Sequence, residues 1–419
     1  MKRNTDFVIL NDLHPDYQPG AATIAFETSQ ILGSRYKVEF WCTSNGSITS
    51  IDYANGNVQI RACQTRPWFD GILKKRSYLM AYAEFLNFHR LLWLTINLFR
   101  VRPRVLWMHQ IGNRFPRSVI LVARLLKIKT IVTLHDFSLV VPGKIYPADL
   151  EIYGIRGEDS WESKLVGAFP KPGMNKGRLF SKFFRLRRLL LKYLLNRVDV
   201  VFTISQMQKS ILSLFGFSDS EVLPNGIAPC GCLLDDKNIQ GDGSIRILFA
   251  GRSIGKGLER LVKTISKTCG VKLVLAGEST INDIASMNLP ADQIEYIGVI
   301  SRSEILKVIH SVDLVAVLSE CFDVFPTITL EAIAHGTSVI TTKNTGNAAF
   351  SAQTEGIKCI AHDENDESLL HFIQGLVDKK SSRVEIKNPF STPQKQVESA
   401  LEILELKFGL GDFLQRKNG

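Results

Sequence analysis

The sequence predicts an α/β protein of two doubly wound lobes that face one another across a cleft. Two observations support this prediction. Short apolar runs of strand length alternate with segments of helical periodicity, and the alternation restarts after a polar stretch near the middle of the 419 residues. Alternating strands and helices favour a parallel sheet, whose ligands bind beyond the carboxyl ends of the strands. A chain with 45% hydrophobic residues can also bury more than one core at this length.

The predicted strands divide between the two lobes. In the first half they cover residues 7–10, 36–42, 105–108, 131–134 and 200–203, with a loop at 14–22 and a helix at 23–32. In the second half they lie near residues 245–250, 272–276, 294–297, 313–318 and 338–341. We therefore place the first lobe at 1–215, a linker at 216–243 and the second lobe at 244–399. Helical spacing at 394–408 predicts a last helix, and residues 400–419 are expected to pack back onto the first lobe.

Charge is unevenly distributed along the chain. Residues 1–230 contain 31 Lys and Arg against 17 Asp and Glu, a balance of +14, whereas residues 231–419 contain 20 against 24, a balance of −4. A basic half suits nucleic acid, an anionic membrane surface or an anionic substrate. Because the sequence has no helix-turn-helix signature and no basic motif with spaced aromatic residues, we expect no nucleic-acid partner.

Several classes of protein are disfavoured by the composition. No run approaches the roughly 18 uninterrupted apolar residues of a membrane-spanning helix, and the apolar run at 6–10 is too short for a signal peptide. The seven cysteines are scattered without Cys-x-x-Cys spacing, and the eight histidines show no metal-ligand spacing. We expect a cytoplasmic protein with neither a disulfide framework nor a metal site.

The turn after the first strand of the second lobe has the features of a phosphate site. The strand at 245–250 breaks into Gly251-Arg252-Ser253-Ile254-Gly255-Lys256-Gly257 before a helical segment begins. Glycines allow the backbone to approach an anion, a helix start offers free N–H groups, and Arg252 and Lys256 can add charge-assisted hydrogen bonds to a diphosphate. Such a turn alone indicates no more than a helix start. Two carboxylates eight residues apart, Asp323 and Glu331, follow in the same lobe and favour a ligand site.

Together these motifs resemble the retaining glycosyltransferases of family 4, which have the two-lobed, Rossmann-like GT-B fold, and the resemblance covers nearly the whole chain. In that family a Gly-Arg and a Lys-Gly pair grip the donor diphosphate, and here Gly251-Arg252 and Lys256-Gly257 stand in those places. The family's Glu-x7-Glu pattern is represented by Asp323 and Glu331. The resemblance implies that Glu331 binds the ribose hydroxyls of a nucleotide sugar, which a carboxylate can do by accepting from both.

The resemblance also assigns the contacts to the donor sugar. Asp323, in place of the family's first Glu, and the N–H groups of Val324, Phe325 and Thr327 are expected to meet the sugar. Glu320 is an alternative carboxylate for this role, and Asp323 could instead be an N-cap or turn residue ahead of the helix that contains Glu331.

In the first lobe the resemblance covers two shorter segments. Gly20, in Pro19-Gly20-Ala21-Ala22, keeps the close-approach role of the family's glycine-rich loop, although one glycine of the usual pair is alanine. His135, in Thr133-Leu134-His135-Asp136, matches a histidine that faces the donor sugar; a histidine hydrogen-bonded to backbone at a strand end is the alternative. His109 ends a predicted strand and could contact an acceptor or serve the structure.

Residues 164–197 contain ten Lys or Arg and no acidic residue, interleaved with Phe and Leu. On a helix Lys182, Arg185, Arg188 and Lys192 recur along one side, as suits anionic lipid headgroups. A core helix with a solvated basic face is the alternative. If the segment binds membrane, neutralising Arg185, Arg187 and Arg188 is expected to abolish vesicle binding.

The function implied is that of a retaining, hexosyltransferase-type glycosyltransferase. It would move a sugar from a nucleotide sugar, which is a substrate and not a cofactor, to the hydroxyl of a lipid-linked glycan in surface-polysaccharide biosynthesis. Arg252 and Lys256 would stabilise the leaving diphosphate without a metal ion, and the protein would lie at the inner face of the cell membrane. Two alternatives remain open: a non-catalytic GT-B subunit that binds a partner glycosyltransferase, and a different enzyme on this fold, such as a nucleotide-sugar epimerase.

Overall fold

A computed structural model describes most of the chain and shows two parallel-sheet α/β units. The described residues are 5–14, 20–44, 50–52, 58–64, 84–112, 114–138, 178–228, 243–251, 255–277, 289–360, 366–378, 386 and 388–408. The first unit contains the described residues up to 138, those at 178–224 and those at 393–408, and the second contains those at 225–392. The predicted fold class is confirmed in each unit.

The strands are β1 Phe7–Leu13, β2 Val38–Ser44, β3 Ser50–Asp52, β4 Val58–Gln64, β5 Val105–Met108, β6 Lys129–Leu134, β7 Val200–Thr203, β8 Glu221–Val222, β9 Ile245–Ala250, β10 Val271–Ala276, β11 Ile294–Gly298, β12 Leu314–Val317, β13 Ser338–Thr342 and β14 Ile357–Ile360. The α-helices are α1 Ala21–Gly33, α2 Phe88–Val101, α3 Val119–Leu125, α4 Arg178–Leu195, α5 Gln206–Leu214, α6 Leu258–Ile265, α7 Arg302–Ser311, α8 Thr327–Ala334, α9 Glu367–Asp378 and α10 Pro393–Phe408. Short 3-10 helices lie at Ala291–Gln293 and Gly346–Ala352.

The sheet of the first unit has the strand order β3-β4-β2-β1-β5-β6-β7-β8. All its pairings are parallel except that of the short strand β3 with β4. The chain moves outward from β1 to β4, then returns to the other side of β1 at β5. This reversal leaves a crevice at the carboxyl ends of β1 and β5, where an open α/β sheet binds ligands. The last strand, β8, lies in the stretch predicted to be linker.

Two layers of helices cover this sheet, and consecutive side chains of β2 show how they are separated. Phe40 packs against Phe26 of α1, with ring centroids 5.4 Å apart. The next residue, Trp41, packs against Trp93 of α2 at 5.6 Å. Because successive side chains of a strand point to opposite faces, α1 and α2 lie on opposite faces of the sheet. The last helix, α10, packs beside α1 and contributes Val397, Ala400, Leu401 and Leu404 to the same core.

The sheet of the second unit is wholly parallel, with the order β11-β10-β9-β12-β13-β14. Numbered within the unit, this is 3-2-1-4-5-6, the order of the Rossmann fold, with its switch point between β9 and β12. The core beneath it is largely aliphatic and includes Ile247, Leu261, Leu273 and Leu314.

None of the described helices is long and apolar enough to span a bilayer. Within the basic segment, α4 buries Arg187, which is 5% exposed, together with Leu191 and Leu194. Arg187 donates from Nε and Nη2 to the two carboxylate oxygens of Glu84, each at 2.7 Å. Arg117 forms an ion pair with the same carboxylate. Arg187, one of the three arginines whose neutralisation was expected to abolish vesicle binding, is therefore not available to lipid headgroups, because its charge is used inside the unit.

We expect the change Arg187→Ala to lower the free energy of unfolding by about 3–5 kcal/mol, because it breaks a buried ion pair and leaves Glu84 with one cation fewer. Chemical denaturation monitored by circular dichroism measures the loss. Arg188→Ala, at the half-buried next position, is the matched control and should change stability by no more than about 0.5 kcal/mol. Equal effects from the two changes would contradict the buried network.

Candidate functional site

The switch point of the second unit brings two loops together. One follows β9 and leads into α6, and the other follows β12 and leads into α8. The backbone links them directly, since the Gly255 carbonyl accepts hydrogen bonds from the N–H of Glu320 at 3.2 Å and from Cys321 Sγ at 3.2 Å. The predicted phosphate turn and the predicted carboxylate segment are therefore neighbours in space, although about 70 residues separate them in sequence.

Gly257 is required by this contact. Its φ of 78° lies in the left-handed region, and a Cβ at this position would come within 2.1 Å of the Leu318 carbonyl oxygen. No other residue type fits a backbone approach this close. Gly257 thus allows the turn after β9 to pack against the end of β12. Any role of Gly257 in donor binding would follow from this position of the turn.

A glycine stands at the carboxyl end of each of the neighbouring strands β9, β10 and β11: Gly251 and Gly277 directly follow β9 and β10, and Gly298 is the last residue of β11. Gly251 has φ 116°, and a Cβ on it would meet no described atom within 4 Å. Gly277 lies close to Gly251, since a Cβ added to Gly277 would be 2.6 Å from the Gly251 carbonyl oxygen. The Gly277 N–H donates to the Gly298 carbonyl at 2.8 Å. This edge of the sheet therefore presents backbone instead of side chains, which is what a close-lying anion or sugar needs.

Lys256 and Asp323 meet at this edge. The Lys256 ammonium forms an ion pair with the Asp323 carboxylate, and Ser319 Oγ donates to the same oxygen at 3.2 Å. Backbone bonds hold Asp323 on both sides, from its N–H to the Asn344 carbonyl at 2.8 Å and from the Gly346 N–H to its carbonyl at 2.9 Å. Asp323 does not cap α8, whose N-cap position is Pro326. The alternative of a capping role for Asp323 is therefore wrong.

The start of α8 presents backbone donors. The side chains of Val324 and Phe325 are each only 5% exposed, and Phe325 packs with Phe350 and Phe390 at centroid distances of 6.1 Å. Within the described ranges, the N–H groups of Val324, Phe325 and Thr327 have no hydrogen-bond partner. Buried side chains anchor the loop, while its N–H groups remain available to a ligand at a helix N-terminus.

Glu331, one turn into α8, is 8% exposed and ion-paired, with Arg302 Nε 3.3 Å from Oε1. Arg302 is the first residue of α7, which begins with a capping box of Ser301 and Glu304. Sequence reasoning did not find Arg302. The capping box marks where α7 starts, but nothing local indicates that its first residue reaches a carboxylate on another helix. Arg252, the remaining predicted residue of this lobe, lies outside the described residues.

In the first unit Gly20 precedes α1. Its φ of 90° and ψ of −115° are accessible to glycine alone, a Cβ there would meet no described atom within 4 Å, and its carbonyl accepts the first bond of the helix from Ile24 at 3.1 Å. The structure thus places Gly20 at a helix start with open space beside it, as a close-approach role requires.

His109 and His135 follow the adjacent parallel strands β5 and β6 and lie side by side. His109 Nδ1 is 3.0 Å from His135 Nε2, and the rings stack at 5.2 Å. The Nε2 atom of His109 is buried without a partner among the described residues. A buried lone pair costs less than a buried N–H, so the favoured tautomer has His109 donating from Nδ1 and His135 accepting at Nε2.

Both histidines are neutral over the ordinary pH range. Burial lowers the pKa of His135 to about 4, although the Asp136 carboxylate opposes this. Burial, with a smaller contribution from His135, lowers the pKa of His109 well below its usual value. The pair can therefore donate and accept hydrogen bonds, but it is not a source of positive charge at neutral pH.

Gln208 fixes the segment that contains His135. It is 0% exposed, and its Nε2 donates to the carbonyls of Leu134 at 3.0 Å and Asp136 at 3.1 Å. Its Oε1 accepts from the Ile204 N–H at 2.8 Å. This side chain thus clamps both residues next to His135 to the start of α5. Sequence reasoning missed it because a glutamine in the first turn of a helix carries no distinctive pattern.

Residues 234–389 match the family model described as glycosyl transferases group 1. This segment contains Gly251, Lys256, Gly257, Asp323 and Glu331, which the structure gathers around one switch point. The second unit carries a group 1 glycosyltransferase domain. Among the described residues of the chain, no group of three or more His, Cys, Asp or Glu could hold a metal ion.

Solved structures with the same fold cover the chain almost from end to end. Sucrose-phosphate synthase from Thermosynechococcus elongatus has 16% identity and a TM-score of 0.62, with 98% of each chain covered. Anabaena HepE in complex with UDP-glucose has 14% identity and a TM-score of 0.55, with 97% and 99% covered. A UDP-forming α,α-trehalose-phosphate synthase from Burkholderia vietnamiensis has 12% identity and a TM-score of 0.54, with 96% and 97% covered. The chain has the GT-B fold of these proteins. No curated protein sequence matches it.

We expect Gly257→Ala to lower the free energy of unfolding of the glycosyltransferase domain by about 2 kcal/mol or more, because its φ is positive and its Cβ would strike the Leu318 carbonyl. The matched control is Gly375→Ala within α9, where a Cβ meets no described atom; it should raise stability by about 0.5–1 kcal/mol. Thermal and urea unfolding measure both changes. A neutral Gly257→Ala would contradict the close approach.

The histidine pair predicts a pH dependence of stability. Because the pKa of each ring is lowered in the folded protein, the unfolded chain binds more protons as pH falls from about 6.5 toward about 4. Stability should therefore decline through this window, and the decline should be smaller in the double variant His109→Gln, His135→Asn. His371→Gln on the exposed face of α9 is the control. Denaturation midpoints between pH 4 and pH 7 test this, and equal slopes in all three proteins would contradict a buried neutral pair.

Proposed function

We propose that the chain is a retaining, hexosyltransferase-type enzyme that transfers a sugar from a UDP-sugar to a hydroxyl acceptor. One observation carries the proposal: the segment that matches a glycosyltransferase family is the one in which Lys256, Asp323 and Glu331 surround a glycine-lined switch point. UDP is favoured as the nucleotide because one solved structure of this fold holds UDP-glucose and another belongs to a UDP-forming synthase.

The second unit offers a separate partner for each part of such a donor. Lys256, with Arg252, would bind the diphosphate, and Glu331 would accept hydrogen bonds from the ribose hydroxyls. Asp323 and the N–H groups of Val324 and Phe325 would meet the sugar. This assignment is supported by the ion pair between Lys256 and Asp323, which puts the diphosphate-binding cation and the sugar-binding carboxylate at neighbouring points.

The chemistry follows from where charge develops. As the bond between the anomeric carbon and the phosphate oxygen breaks, negative charge grows on the diphosphate and positive charge on the sugar. Cations and N–H dipoles fixed at the diphosphate lower this barrier, and they would act in place of a metal ion. The acceptor oxygen bonds to the anomeric carbon from the face that the phosphate leaves, and the acceptor proton passes to the leaving phosphate oxygen. Asp323 and Glu331 are not a glycosidase pair, because one serves the sugar and the other the ribose.

We propose a lipid-linked glycan as the acceptor, in surface-polysaccharide biosynthesis at the inner, cytoplasmic face of the cell membrane. The support is electrostatic: residues 1–230 carry a balance of +14, and residues 164–197 contain no acid. Such a surface attracts anionic headgroups and concentrates the protein where a lipid-linked acceptor lies.

Donor binding is tested by thermal shift of the purified chain with UDP-, GDP-, ADP- and dTDP-sugars in EDTA. We expect a UDP-sugar to raise the melting temperature, since a ligand at about 100 times its Kd adds about 2.7 kcal/mol to the folded state. Lys256→Ala and Glu331→Gln should lose the shift. Lys358→Ala and Glu355→Gln, the same changes at exposed sites of the second unit, should retain it.

Enzyme activity needs a second measurement, the release of UDP from the bound donor in EDTA. Release that depends on Lys256 supports a transferase that needs no metal ion. A shift without UDP release, in the presence of candidate lipid-linked acceptors, would indicate a non-catalytic subunit. If the protein is folded and none of the donor sugars raises its melting temperature, the proposed donor site would be overturned.

A further inference from the structure

Helix α2 presents an apolar face to solvent. Phe88 is 62% exposed, Leu92 60%, Ile96 40% and Phe99 51%. Their spacing of four, four and three residues places them within one side of the helix. The opposite side is buried in the unit through Leu94 and Leu98. An amphipathic helix normally buries its apolar face, whereas the exposed side of α2 is apolar and its buried side combines Leu94 and Leu98 with Arg90 and Asn97.

Helix α4 has a second such face. Leu186 is 56% exposed, Leu189 54%, Leu190 40% and Tyr193 48%, again at helical spacing. The alternative that this helix buries its leucines in the core is therefore only half correct, since Leu191 and Leu194 are buried while Leu189 and Leu190 face outward. Scattered exposed leucines need no explanation, but two aligned rows mark an interaction surface.

The two faces belong to one region of the first unit. Glu84 lies four residues before α2 and is held by Arg187 in the middle of α4, with both bonds at 2.7 Å. Helix α2 also packs against α3, whose end exposes Leu125 to 83%. We name the exposed faces of α2 and α4, with Leu125, the apolar patch.

The surroundings of the apolar patch are cationic. Among the described residues of 84–128 and 178–198, the only acid is Glu84, and it is buried between two arginines. Arg100, Arg124, Lys127 and Lys192 are exposed beside the patch. A surface that meets another protein would be expected to carry both signs of charge at its rim. Described helices that expose cations and no acid suit a partner that is itself anionic.

Cation and aromatic side chains pair at the end of each helix. The Arg102 guanidinium lies 4.8 Å from the Phe99 ring centroid, and the Arg197 guanidinium lies 3.3 Å from that of Tyr193. An aromatic ring at the depth of lipid headgroups, with a cation extending toward the phosphates, is the arrangement that interfacial helices use.

We propose that the apolar patch docks on a lipid bilayer with anionic headgroups, its leucine and phenylalanine side chains entering the acyl boundary and its cations contacting the phosphates. This inference rests on the proposed peripheral membrane location, and it adds apolar insertion to the electrostatic attraction on which that location was based. Attachment depends on the uncharged rows of α2 and α4 as well as on the basic residues, so binding should persist in part at high salt.

The experiment is flotation of the intact chain with vesicles of phosphatidylcholine alone and of phosphatidylcholine with phosphatidylglycerol. We expect binding to the anionic vesicles that is reduced, but not abolished, by high salt. The double change Leu92→Glu, Phe99→Glu on α2, and separately Leu186→Glu, Leu190→Glu on α4, should each lower the partition about tenfold or more. Arg100→Gln with Lys192→Gln should lower binding to anionic vesicles and leave binding to neutral ones unchanged.

The matched control is Leu406→Glu, an 87% exposed leucine on α10, which packs beside α1 on the opposite face of the sheet from α2. It should bind as the unchanged chain does. All variants are also tested for the thermal shift with the donor sugar, which the patch variants should retain. Failure of vesicle binding with an intact donor shift would overturn this inference alone, whereas failure of the donor shift would count against the proposed transferase.

Two other outcomes would overturn the inference. If the Leu92→Glu, Phe99→Glu protein still bound vesicles fully, the apolar rows would have no part in docking. If the intact chain formed a dimer in analytical ultracentrifugation that the same changes dissociated, without any vesicle binding, the patch would be a contact between copies of this chain.

Discussion

The proposed donor site of the second unit depends on one close backbone approach, that of Gly257 to the Leu318 carbonyl. The parallel order of β9 and β12 brings their carboxyl ends side by side, but only a residue without Cβ allows the turn after β9 to rest on the end of β12. With the turn in this position, the side chain of Lys256 forms an ion pair with Asp323. A local conformational requirement thereby sets the distance between two groups that are far apart in sequence.

Each carboxylate of the site is held by a cation before any ligand arrives, Asp323 by Lys256 and Glu331 by Arg302. Ion pairs that water can partly reach contribute little net stability, so they are easily exchanged for a ligand's groups. A diphosphate brings two negative charges close to Lys256 and can compete for it, which would release Asp323 toward the sugar. In the proposed function, the pairs would keep the side chains in position at small cost until a donor took their place.

The two units differ in how they provide polar groups. The second presents charges and free N–H groups around backbone glycines. The first presents a neutral histidine pair. Gln208 holds the backbone on both sides of His135, and Trp107 stacks on His109 with ring centroids 5.5 Å apart. Neutral imidazoles can recognise hydroxyl groups without attracting the charged diphosphate. The positive charge of the first unit lies elsewhere, around exposed apolar helices, where it can serve binding to a surface.

Much of this molecule could be predicted from its sequence, because strands and helices leave local periodic patterns. The predicted bounds of the strands Val105–Met108 and Val200–Thr203 agree with the structure at every residue. The GT-B fold was inferred from short sequence motifs. Strand β4, Val58–Gln64, was missed although apolar and polar residues alternate over Val58–Ala62, a pattern that indicates a half-buried strand. Short strands such as β8 and β14 carry too little local signal.

What the sequence by itself determined was the identity of the chemical groups: which turn is rich in glycine, where the carboxylates stand, and where cations replace acids. Tertiary structure alone decided their partners. The same basic segment supplies Arg187 to a buried carboxylate 103 positions away, while the leucines around it remain in solvent. His109 reaches His135 because the neighbouring strands β5 and β6 end together, and Arg302 reaches Glu331 because α7 packs against α8. Such contacts follow from strand order, which is set by the packing of the whole sheet and leaves no trace in any short window of sequence.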